Sequence, residues 1–157
     1  MTFRDYKPSD RAACLELFKS NMPKFFDPVE LPLYEGWLDA LDKGEKVFDK
    51  NRAEHYFVAE KDGKIVACGG LCIRAEKDFA SMAWGMVDNS LHKQGLGKAF
   101  LEFRIKTVGE RYPGFGIELD TTQHSFGFFE KFGFRTTKIT ENSYAPGMHR
   151  YDMIRQG

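Results

Sequence analysis

Between the last residues of an apolar run and the start of a helical pattern, the chain reads Val87-Asp88-Asn89-Ser90-Leu91-His92-Lys93-Gln94-Gly95-Leu96-Gly97-Lys98. Glycine lets a backbone approach a ligand with no Cβ in the way. The unpaired N–H groups of a first helical turn, acting with the helix dipole, make a seat for an anion. Lys93, Lys98, Arg104, Lys106 and Arg111 in and just before this helix outweigh Glu102 and Glu110, a sum of about +3 that favours a negative ligand. Two phosphate loops of other folds are excluded by position. A dinucleotide fingerprint requires Gly where Phe100 stands, and a P-loop requires Gly at His92 and Ser or Thr at Ala99. A Gly-x-Gly alone is equally compatible with a flexible loop feeding a helix.

Further along, Asp120 and His124 are placed for proton transfer. Glu118 and Asp120 share one face of a short strand, Asp120 nearer its end, and His124 follows with a suitable intrinsic pKa. Each has a plainer reading: Asp120 as a cap for the next helix, His124 as a surface or capping residue. Phe128, Phe129, Phe132 and Phe134 read as core. Cys14, Cys68 and Cys72 form no even framework and fit reduced, buried thiols. Cys68 and Cys72 fall on one face of a strand, roughly 13 Å apart, too far to share a metal ion. No metal is expected.

These residues need elements to hold them. Thr2 to Tyr6 reads as an edge strand. Pro8-Ser9-Asp10 looks like a helix start, with Ser9 as N-cap and a helix over about 10–20. A second helix over about 31–42 carries a stripe of Leu33, Trp37, Leu38 and Leu41. From Glu54 the pattern turns to strands, with Asp62-Gly63 as a hairpin turn. Phe79 to Val87 reads as a central strand and Leu96 to Arg111 as a long helix broken by Pro113-Gly114. A strand at 117–120, a short helix from Ser125 to Phe132 ended by Gly133, and a hairpin of 134–139 with 148–154 complete the chain. The order β-α-α-β-β-β-α-β-α-β-β gives an α/β (α+β) fold, a mixed, mostly antiparallel sheet flanked by helices. With no repeat and no linker, residues 1–157 read as a single domain.

The Gly-x-Gly loop, together with Thr122 and Phe128-Phe129-Glu130-Lys131-Phe132-Gly133-Phe134 after a later strand, resembles the GNAT superfamily of N-acetyltransferases. The likeness in element order covers nearly all of the chain and is specific in motif over about 84–134. It implies acyl transfer from acetyl-CoA to a primary amine. By position, Gly95 and Gly97 with the N–H groups of Gln94, Leu96 and Lys98 would hold the pyrophosphate. Met86 and Val87 would pair with the pantetheine amides and offer an N–H to the developing oxyanion. The resemblance also implies a sheet that parts beside the central strand. His92 stands where relatives carry Gln or Arg, a contact that Lys93 or Gln94 would replace. Phe129 stands where a tyrosine often protonates the leaving thiolate, and would wall the coenzyme slot; Tyr144, His124 or Ser125 are the candidate substitutes. A thiol near pKa 8.5 leaves tolerably without an acid, whereas an alkyl amine near 10.4 needs a base, for which Asp120 and His124 are the candidates. A non-catalytic acyl-CoA-binding or sensing domain of the same fold is the alternative.

Charge and composition bound the partners. Lys+Arg and Asp+Glu are 23 each and the net charge is zero, which disfavours a nucleic-acid partner. No apolar run approaches a membrane span and the N-terminus lacks a signal-peptide pattern, so a cytoplasmic location is expected. Residues 27–42 hold Asp27, Glu30, Glu35, Asp39 and Asp42 and no Lys or Arg. The first two helices border the acceptor site in relatives, so this stretch points to a small cationic amine; a solvated helix face is the plainer reading. Relatives often pair through strands or helices, which admits a homodimer.

Overall fold

The computed structural model describes all 157 residues. In chain order the elements are β1 (Thr2–Asp5), α1 (Arg11–Ser20), α2 (Leu31–Asp42), β2 (Ala53–Lys61), β3 (Lys64–Ile73), β4 (Phe79–Val87), α3 (Leu96–Arg111), β5 (Gly116–Thr121), α4 (Phe126–Glu130), β6 (Arg135–Ala145) and β7 (Met148–Arg155). This is the order expected from the sequence. One seven-stranded sheet runs β1-β2-β3-β4-β5-β7-β6. Every pairing is antiparallel except β4 with β5. At the β2–β3 hairpin both turn residues, Asp62 (φ 53°) and Gly63 (φ 76°), are left-handed, the backbone a two-residue turn between twisted strands requires.

The sheet separates two apolar layers. On one face α3 and α4 cover a core that includes Phe57, Leu71, Ile73, Phe100, Leu101, Ile117 and Met153. On the other, α1 and α2 bury Cys14, Phe18, Tyr34, Trp37, Leu38, Tyr56 and Cys68. Each such large side chain taken from water contributes about 1.5–3 kcal/mol.

Two local expectations are corrected. Ser9 does not cap the first helix. A 3-10 turn over Pro8–Asp10 precedes it, and the Asp10 carboxylate accepts from the Lys7 N–H at 2.9 Å while Arg4 donates to both of its oxygens at 2.8 Å. A carboxylate that satisfies a backbone donor and a guanidinium at once outcompetes a hydroxyl. Leu33 is not part of the buried stripe of α2 and is 66% exposed; Tyr34, Trp37 and Leu38 form it instead. Tyr34 takes the core position because its hydroxyl finds a buried partner in Tyr56 at 2.8 Å.

Two features of β4 shape the space beside it. It pairs with β5 only at Phe79–Gly116, Ala80–Ile117 and Ser81–Glu118, so from Met82 onward the two strands part. Against β3, Ala83 faces Gly70 and Met86 faces Cys68, which leaves Trp84 and Gly85 together opposite Gly69. This is a β-bulge. Trp84 adopts φ 47°, a region a bulky residue rarely enters, and its carbonyl accepts from the Tyr56 hydroxyl at 2.8 Å. Because Tyr56 gives its one proton to Trp84, Tyr34 must donate to Tyr56.

Candidate functional site

The loop after β4 ends in two left-handed residues, Lys93 (φ 67°) and Gly95 (φ 80°), and Gly95 is the N-cap of α3. No side chain caps this helix, and the N–H groups of Leu96, Gly97 and Lys98 have no protein acceptor. Their combined donors and the helix dipole face outward from an exposed loop of Lys93, Gln94 and Gly95. A Cβ at Gly97 would meet only ordinary contacts, Phe128 Cζ at 3.7 Å and Val87 Cγ2 at 3.8 Å. Nothing in the protein's own packing demands glycine there. Lys98 pairs loosely with Glu102 at 3.9 Å. His92 does not point into the cradle. Its Nε2 donates to the Val87 carbonyl at 3.1 Å, which also accepts from Asn21 Nδ2 at 2.9 Å.

The parted edge of β4 redistributes the expected backbone roles. Asp88 N–H bonds the Val66 carbonyl, so alternation along the ladder directs the amide and carbonyl of Met86 at Cys68. Met86 is therefore occupied within the sheet, contrary to its expected pairing with an incoming arm. Val87 faces the other way. Its carbonyl is held by His92 and Asn21, leaving its N–H toward the gap. Gly85, exposed in the bulge, adds open backbone at the same edge.

Residues from four distant segments gather near the end of β5. Tyr144 donates a hydrogen bond to Asp120, and Arg150 stands 3.8 Å from the same carboxylate while bonding Asp152 at 2.9 Å. Burial, reinforced by the Asp120 charge, pushes the Tyr144 hydroxyl far above its ordinary range, so it holds its proton. Glu30, in the turn before α2, lies within range of the Asp120 charge, and its own charge reaches Tyr144. Its Oε2 accepts from the Asp27 N–H at 2.9 Å, yet burial lifts its carboxyl above the usual carboxylate range. Phe25 lies edge-on to His92 at 5.2 Å and to His124 at 6.1 Å, joining this cluster to the glycine loop. Asp120 does not cap α4. Its N-cap is Ser125, which makes no side-chain cap bond; the carbonyl of buried Thr122 accepts from Ser125 and Phe126, and its Oγ1 from the His124 N–H at 3.2 Å. Phe129 packs among Phe128 and Phe134 on the α3 side and has no proton to offer.

Two residue sets behave differently from their sequence reading. Of the acidic stretch, Asp39 and Asp42 clasp Arg11 at 2.8 and 3.0 Å and Asp27 accepts from the Val29 N–H, while Glu30 lies within range of the Asp120 charge. Arg104, one of the charges that sum to about +3 on the sequence around α3, turns inward and is 6% exposed. The signal was present: Arg104 recurs with Phe100, Leu101 and Val108 on the buried side of the helix. Burial pulls its pKa down to about 10, with Tyr56 and Cys68 opposing, so it stays charged at neutral pH. Its Nε has no hydrogen-bond partner.

The family model of the acetyltransferase (GNAT) domain matches residues 52–136, more than half of the chain. The chain belongs to the GNAT acetyltransferase family. Among solved structures it is similar to a putative GNAT-family acetyltransferase from Desulfovibrio desulfuricans, at TM-score 0.80 and 18% identity over 99% of this chain and 98% of that one. It is also similar to the ribosomal-protein-S18-alanine N-acetyltransferase from Escherichia coli, at TM-score 0.75 and 19% identity over 99% and 92%. A third, an aminoglycoside 6'-N-acetyltransferase complexed with coenzyme A, gives TM-score 0.74 and 14% identity over 99% and 97%. No curated protein matches the chain. At these identities the likeness establishes the GNAT fold, and the open α3 cradle with the gap beside β4 suits a coenzyme A donor.

Proposed function

We propose that this GNAT protein is an N-acyltransferase that uses acetyl-CoA to acylate a primary amine by direct transfer. One observation carries the reading: the sheet parts between β4 and β5 directly beside an uncapped helix whose first amides lack partners. The amides of Leu96, Gly97 and Lys98 would hold the diphosphate. The Val87 N–H and the exposed Gly85 backbone would line the pantetheine arm. The thioester supplies an activated acyl group whose thiolate leaves without assistance, which makes Phe129 tolerable where a proton donor is usual.

The harder step is removing a proton from the amine. Glu30 suits it better than Asp120. Burial raises its basicity, whereas Asp120 already accepts from Tyr144 and faces Arg150. Tyr144 and Asp120 then form a fixed wall with residual negative charge. Glu30 and Asp120 together favour a cationic acceptor over an anionic one. His124, exposed beside Phe25, would border the entrance.

Phe129 favours a second reading, an acyl-CoA-binding domain without turnover. Titration with coenzyme A, followed by release of free thiol from acetyl-CoA with a panel of amines, separates the two. Binding with turnover supports the transferase. Binding without turnover on any amine supports the second reading, and no binding removes both.

A further inference from the structure

A buried guanidinium without an anionic partner is costly, because desolvation is not offset by pairing or by hydrogen bonds. Arg104 is in this position. The ionisable groups that feel its charge are Tyr56 and Cys68, and neither is a carboxylate. The carboxylates of its own helix and of β5 are engaged elsewhere, Glu102 with Lys98, Glu110 with Lys106, Glu118 with Arg74 and Lys77, and Asp120 with Tyr144 and Arg150. The head rests against the Phe100 ring, 5.0 Å from its centroid, and against two glycines. A Cβ on Gly69 would lie 2.9 Å from Nη1, and one on Gly85 would lie 2.8 Å from Nη2. Glycine at both positions makes room for this head at the bulge, and Gly85 is the exposed residue where β4 has left β5.

An anion carried by a ligand would supply the partner that the protein does not. It is not a phosphate of the coenzyme, since Arg104 follows Gly97 by two helical turns, about 10 Å along α3. Nor is it a group on the acceptor, which would approach the acidic cluster of Glu30 and Asp120, whereas Arg104 rises from the α3 face. What remains is the acyl end of the donor.

We propose that the Arg104 guanidinium, buried unpaired against Gly85 at the parting of β4 and β5, receives the terminal carboxylate of a short dicarboxylic acyl-CoA of the malonyl or succinyl kind. This rests on the acyl-CoA reading and changes its acyl group, with a dicarboxylic acyl-CoA in place of acetyl-CoA as the preferred donor. In the transfer the amine nitrogen forms the new C–N bond and the thioester C–S bond breaks. Coenzyme A leaves as the thiolate and takes up the proton the amine loses, and the distal carboxylate stays bound and unchanged. A planar carboxylate matches the paired donors of a guanidinium.

The test is calorimetric titration of the whole chain, without acceptor, with CoA, acetyl-CoA, malonyl-CoA and succinyl-CoA. A charge-assisted hydrogen bond predicts that malonyl- or succinyl-CoA binds about tenfold or more tightly than acetyl-CoA. Arg104→Met should abolish the preference and Arg104→Lys should keep part of it. Equal affinities in the unsubstituted protein overturn the inference while leaving the acyl-CoA reading intact, as does a preference that survives in R104M. Failure to bind CoA or any acyl-CoA overturns both. If R104M does not fold, the comparison of donors on the unsubstituted protein decides alone.

Discussion

The two ends of the site are built on different principles. The donor end is backbone: a left-handed Gly95, uncapped amides of α3 and the open edge of β4, all within residues 84–98. The acceptor end is side chains drawn from separate segments, Glu30 before α2, Asp120 at the end of β5, Tyr144 in β6 and Arg150 in β7. On the proposed reading, backbone geometry would recognise what all acyl-CoA donors share, the diphosphate and pantetheine. Side chains can change one at a time and retune the acceptor without disturbing the cradle.

Substitutions should reveal that division. The largest effect is expected from Glu30→Gln, with kcat falling about 10²–10⁴-fold in steady-state assays while the affinity for CoA is unchanged. The pH profile has a defined sign. Glu30 acts ionised and burial raises its pKa, so kcat/KM should rise with pH through a midpoint above the ordinary value of about 4.3, and E30Q should lose that limb. A comparable loss of CoA affinity in E30Q would break the distinction between the two ends. Gly95→Ala is the converse. A non-glycine residue at φ 80° should lose about 1–2 kcal/mol in denaturant unfolding and weaken CoA in calorimetry. Tyr56→Phe leaves the Trp84 carbonyl and the Tyr34 hydroxyl short of a partner and should cost about 1–2 kcal/mol in urea unfolding. The smallest effect is expected at Leu33→Ser, within about 0.5 kcal/mol by the same measurement, since its side chain is largely in water.

The donor end was legible in the sequence because it is local. Strand, loop and helix succeed one another, and the glycine spacing reports the backbone directly. Leu96–Arg111 and the element order were legible through the same kind of signal. The acceptor end was not, because the approach of Glu30 to the Asp120–Tyr144 pair depends on how the layers pack, which no spacing records. Leu33 and Tyr34 show where ranking residues by hydropathy alone fails: a buried hydrogen bond draws the tyrosine inward and leaves the leucine out. Arg104 shows the reverse error, in which charge implies surface although helical period puts the residue with the core. The bulge at Trp84 left one local mark, Gly85 inside a strand pattern, but the Tyr56 hydroxyl that holds the Trp84 carbonyl reaches across from β2 and leaves none.

Because β4 touches β5 along only three residue pairs, the two halves of the sheet are fastened at one end like a clothes-peg. An arm entering between them would supply hydrogen bonds that the strands do not give each other, so that the donor finishes the sheet it wedges apart. Amide exchange at Val87 and Gly85 should then slow when donor is added, and the free enzyme should be looser along that seam than anywhere else in its ladder.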